Sequence, residues 1–64
     1  MRRVTGYFIY QTDNKKVMVP YIKHYDGAEK MRGKLEAAYP KNGMSIGRIV
    51  QDDETKKETK EYQL

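Results

Sequence analysis

The sequence predicts one small α+β domain with the element order ββαβ, a three-stranded sheet of order 2-1-3 carrying one amphipathic helix on one face. Three observations predict it. Residues 3–11 (RVTGYFIYQ) and 16–23 (KVMVPYIK) are dense in β-branched and aromatic side chains on either side of a polar break. From Asp26 the apolar spacing changes from two residues to about 3.6. A third apolar run, 44–50 (MSIGRIV), follows a loop containing Pro40 and Gly43. A chain of 64 residues holds material for a single hydrophobic core.

The first two runs read as a hairpin, with Asp13 and Asn14 at a tip that tolerates positive φ. Simple antiparallel register pairs Tyr10 with Val17, Phe8 with Val19 and Gly6 with Tyr21. Alternation then puts Val4, Phe8, Tyr10, Val17, Val19 and Tyr21 on one face. The opposite face receives Arg3, Thr5, Tyr7, Ile9, Lys16, Met18, Ile22 and His24. The helix spans about 26–39: Ala28, Met31, Leu35, Ala38 and Tyr39 share an arc of roughly 100°. Asp26 suits its N-cap, Glu29 follows three residues later as in a capping box, and Pro40 with Gly43 ends it. Gly33, on the solvent side, costs about 1 kcal/mol against alanine, so this helix depends on packing.

In the third strand Ile46 and Val50 fall on one face and Ile49 on the other, with Arg48 interrupting the first. Residues 52–64 (DDETKKETKEYQL) offer nothing apolar before Tyr62 and are expected to form a disordered or loosely helical tail outside a compact 1–51 domain. The topology follows from two preferences. The first strand is the most continuously apolar and belongs at the centre, whereas Pro20 lacks an amide donor and belongs at an edge. The helix is expected on the Phe8, Val17, Val19, Tyr21 face, packed through Met31 and Leu35.

Residues 1–51 carry ten Lys or Arg against four Asp or Glu, a net of +6, while 52–64 carry three against five, a net of −2. A basic domain attracts nucleic acid, anionic surfaces and acidic proteins alike. The absence of cysteine removes disulfides, thiol chemistry and Cys-based zinc sites, and no run approaches the 18 apolar residues of a membrane span. The expectation is a cytoplasmic protein without a membrane segment.

Catalytic chemistry finds no constellation. His24 is the sole histidine, Ser45 the sole serine, and the carboxylates form no pocketed pair. The glycines match no phosphate loop, and the Asp52-Asp53-Glu54 run reads as solvated charge rather than a cation site. No enzyme, metal site, cofactor or small-molecule substrate is expected. Six tyrosines stand out in a chain with one phenylalanine and no tryptophan.

With the helix on the Phe8 face, the open face holds Tyr7, Ile9, Met18 and Ile22, ringed by Arg3, Lys16 and His24. An apolar patch with a charged rim is ordinary interface anatomy, so the expected function is non-enzymatic binding of a protein partner or a second copy of the chain. The alternative is a nucleic-acid-binding module using a basic, tyrosine-containing sheet face. In general look, a very short cysteine-free chain rich in Lys and Tyr with a charged tail is similar to small accessory proteins of bacteriophages and other mobile elements. That likeness implies a protein that binds and modulates a host factor.

Overall fold

The computed structural model describes residues 1–62. Its elements are β1 (Arg2–Gln11), β2 (Val17–Ile22), α1 (Tyr25–Ala38), β3 (Met44–Asp52) and β4 (Glu58–Glu61). The strands form one antiparallel sheet of order β2-β1-β3-β4, with α1 on one face. The expected 2-1-3 arrangement is therefore present, with β1 central and Pro20 in the edge strand, but a fourth strand extends it. Among the described residues no helix is long and apolar enough to cross a membrane.

The charged segment expected to lie outside the fold supplies that strand. β4 has the sequence ETKE and pairs Glu58 with Gln51, Thr59 with Val50, Lys60 with Ile49 and Glu61 with Arg48. No apolar pattern marks it, because ladder hydrogen bonds and charge hold it. Glu61 accepts from Arg48 Nη2 at 2.9 Å and pairs with Arg2 on its other oxygen. Gln63 and Leu64, the end of the expected tail, lie outside the described residues.

Strand alternation is broken in three places, and each break moves side chains between faces. The β1–β3 register shifts between Val4 and Gly6, so Arg3, opposite Gln51, joins the Phe8 face while Tyr7, opposite Arg48, takes the other. The β1–β2 register shifts twice. Tyr10 pairs with Val17 as expected, but Ile9 pairs with Val19 and Tyr7 with Ile22. Val19 thereby leaves the face on which simple register had placed it.

The helix packs on the Tyr7, Ile9, Ile22 face, the reverse of the expectation. The Tyr7 and Tyr25 rings meet edge-on at 5.4 Å, and an Ile22 methyl lies 3.4 Å from where a Cβ on Gly27 would stand. Ile9 and Ala28 are fully buried between the layers, with Met44 and Ile46 of β3 beside them. Met31, expected in the core, is exposed. The reason is volume: both sheet faces carry apolar side chains, and the side with Tyr7 and Ile9 continues through Met44 and Ile46 into β3, giving the helix a wider floor. The helix starts at Tyr25 with His24 as N-cap and no side-chain cap, one residue ahead of the expected Asp26. At its other end the Tyr39 amide donates to the Leu35 carbonyl at 2.8 Å, and Pro40 stops it.

Candidate functional site

The sheet face away from the helix is closed by its own aromatic residues. Phe8 and Tyr10 of β1 form a fully buried cluster with Ile49 of β3, and Val17 packs against it. Such rings lie close to the sheet because glycines leave space beneath them. A Cβ on Gly47 would stand 2.3 Å from the Phe8 ring, and one on Gly6 would stand 2.4 Å from the Tyr21 ring. Tyr62, just beyond β4, caps the cluster. Its ring meets Phe8 at 5.1 Å and Tyr10 at 4.8 Å, both edge-on, and remains 39% exposed. Tyr21, whose hydroxyl donates to the Thr5 carbonyl at 3.4 Å, is 55% exposed on the same face.

Lysines stand over these rings. The Lys15 ammonium lies 5.3 Å from the Tyr10 centroid and 5.9 Å from that of Tyr62, and the Lys60 ammonium lies 5.6 Å from that of Phe8. These are cation–π distances. The four arginines, by contrast, are all spent on carboxylates of the chain: Arg2 and Arg48 on Glu61, Arg3 on Asp53 at 3.6 Å, Arg32 on Glu36 at 3.6 Å. Among the described residues no lysine has a carboxylate partner, so the uncompensated positive charge is carried by lysine.

The seven residues singled out from the sequence do not form one open surface. Ile9 is buried under the helix, and Tyr7 and Ile22 are half-buried beside it. Met18 is half-buried, its sulfur accepting from the Gln11 amide at 3.5 Å. His24 caps the helix, Lys16 sits at the hairpin turn, and Arg3 has crossed to the other face and is held by Asp53. Phe8, Tyr10, Lys15, Lys60 and Tyr62 were not singled out. The tyrosine count is a sequence signal for Tyr10 and Tyr62 alone, and the glycines opposite large rings become meaningful only once the register is known.

Between the start of β3 and α1 lies an open cavity of about 260 Å³ lined by Tyr25, Arg32, Met44, Ser45 and Ile46. Arg32 there is taken by Glu36, and the Ser45 hydroxyl shares a 2.7 Å hydrogen bond with Thr12 rather than with a base. The Tyr25 hydroxyl has its pKa raised from the ordinary 10.0, first by its hydrogen bond to Glu29 and then by that carboxylate's charge. A phenol whose pKa is raised stays protonated and is not an activated nucleophile. Among the described residues no group of three or more His, Asp or Glu is placed to hold a metal. The chain matches no protein-family model, no curated protein and no solved structure.

Proposed function

We propose that this chain is a non-enzymatic binding module that holds a single-stranded nucleic acid on the sheet face away from the helix. The observation that carries the reading is the coincidence, on one face, of exposed Tyr21 and Tyr62 rings with lysine ammonium groups that have no carboxylate partner. A base stacks on an aromatic ring whatever its sequence, and the lysines exchange a weak cation–π contact for a phosphate. Ile9 and Ile22, aliphatic side chains unsuited to stacking a base, are taken up by the helix on the other face. A cytoplasmic setting belongs to the same proposal.

A second reading, binding of a protein partner, is supported by the outer side of α1. Met31 is 38% exposed and Tyr39 47% exposed near the helix end. Fluorescence anisotropy with a labelled oligothymidylate separates the two. The nucleic-acid reading expects binding that weakens steeply with salt and falls at least tenfold in Tyr62→Ala. Absence of binding at low salt would leave the helix surface as the working face.

A further inference from the structure

The two hairpin turns, at opposite ends of the sheet, are built alike. In the first, the Lys15 amide donates to the Gln11 carbonyl at 2.9 Å, the Gln11 amide to the Lys16 carbonyl at 2.8 Å, and the Lys16 amide to the Asn14 side chain at 2.9 Å. In the second, the Lys56 amide donates to Asp52 at 2.8 Å, the Asp52 amide to Lys57 at 3.0 Å, and the Lys57 amide to the Thr55 hydroxyl at 3.3 Å. Each turn places a lysine in the left-handed region, Lys15 at φ 62° and Lys56 at φ 61°, and these are the only non-glycine residues there among those described. Glycine or asparagine adopts that conformation at lower cost, so a strained backbone kept twice with the same cationic side chain points to a use for the side chain.

Lys15 belongs to the aromatic face, and the shared turn geometry assigns Lys56 to it. Lys15 reaches over the rings of Tyr10 and Tyr62. The residue before the closing pair of each turn, Tyr10 in the first and Gln51 in the second, lies on that face by register, so identical turns deliver Lys56 to the same side. Lys60, opposite Ile49, stands between them. β1, whose ten residues separate the turns, spans about 33 Å at 3.3 Å per residue, within a molecule 41 Å long.

We propose that Lys15 and Lys56 are phosphate-gripping posts at the two ends of one track, with Lys60 and Tyr62 between, and that the track accepts a single nucleic-acid strand crossing the face from the β1–β2 turn to the β3–β4 turn. This rests on the nucleic-acid reading above and adds the strand's path and its length. At the roughly 3.4 Å per nucleotide of a fully stacked strand, that distance holds at most about ten nucleotides. Such a length falls inside the roughly 4–16 nucleotides that single-strand-binding sheets occupy.

The test is anisotropy across a salt series with oligothymidylates of increasing length. The variants are Lys15→Ala, Lys56→Ala, the two combined, and a Lys30→Ala/Lys34→Ala control on the helix. Wild-type affinity should climb with length and level off by about ten nucleotides. The slope of log affinity against log salt should shrink by about 0.7 for each post removed, and the control should leave it unchanged. If an alanine variant proves unfolded by circular dichroism, Lys15→Gly and Lys56→Gly, which suit a left-handed backbone, give the same reading. Binding that persists with an unchanged slope in the double variant overturns the two-post track and leaves the nucleic-acid function standing. An equal loss in the helix control overturns the track in favour of diffuse charge. No binding by the wild type removes both.

Discussion

Gly6 and Gly47 face similar clashes and should respond differently to a methyl group. At Gly47 the new Cβ meets the Phe8 ring at 2.3 Å and the Glu61 carbonyl at 2.8 Å. Phe8 is fully buried and the carbonyl is backbone, so neither yields easily, and Gly47→Ala should cost about 1–3 kcal/mol by urea denaturation. At Gly6 the obstacle is the Tyr21 ring at 2.4 Å, and Tyr21 is free to swing into solvent. Gly6→Ala should therefore cost less than Gly47→Ala; the reverse order would mean that Tyr21 is pinned more firmly than Phe8. Tyr25 offers a second residue-scale test. Glu29 raises its pKa, so the contact favours folding below the ordinary value of 10.0 and is lost as pH rises through the folded value. In a spectroscopic titration of the phenols, Glu29→Gln should move one tyrosine downward, towards its ordinary value, and leave the others in place.

At the scale of elements, β4 and the turn before it decide how the chain ends. Truncation after Asp52 removes four ladder pairs, the Glu61 bridges and the Tyr62 ring that caps Phe8 and Tyr10. Two edge-on aromatic contacts alone are worth about 0.5–1.5 kcal/mol each, so the truncated chain should lose well over 1 kcal/mol in thermal denaturation. An unchanged midpoint would return residues 53–62 to the status of a tail. The left-handed turns make the opposite prediction. Because a side chain there costs roughly 1–2 kcal/mol, Lys15→Gly and Lys56→Gly should each stabilise the fold by a fraction of that while weakening nucleic-acid binding.

These elements also show what the sequence made legible. β1, β2, α1 and β3 announce themselves through apolar periodicity, and Pro20 marks an edge strand. β4 announces nothing, since a strand held by Glu61 between two arginines carries no apolar alternation. Which side chains share a face with Phe8 turned at Arg3 and Val19 on register shifts in β1 and β2, which reverse alternation without leaving a composition signal. One such shift was enough to put Arg3 and Tyr7 on opposite sides and to separate the expected site. Asp13 and Asn14 tolerate positive φ, yet the left-handed residue is Lys15, because the four-residue turn puts that position last.

For the whole molecule, both sheet edges are protected against pairing with a second copy. β2 carries Pro20 and two register shifts, and β4 is only four residues long, three of them charged. The chain should therefore elute as a 7.6 kDa monomer in light scattering at micromolar concentration, and a dimer would redirect attention to Met31 and Tyr39 on the helix. What distinguishes the two sides is how they are covered. One is roofed by a helix, the other by tyrosine rings and lysine side chains, which on the proposed function a nucleic-acid strand displaces. The most direct measurement of that claim is an amide chemical-shift titration of the labelled chain with a short oligothymidylate. The account predicts shifts at Tyr10, Lys15, Gly47, Lys60 and Tyr62 along the aromatic face with α1 unmoved. Shifts confined to Met31, Lys34 and Tyr39, or none at saturating ligand, would contradict it.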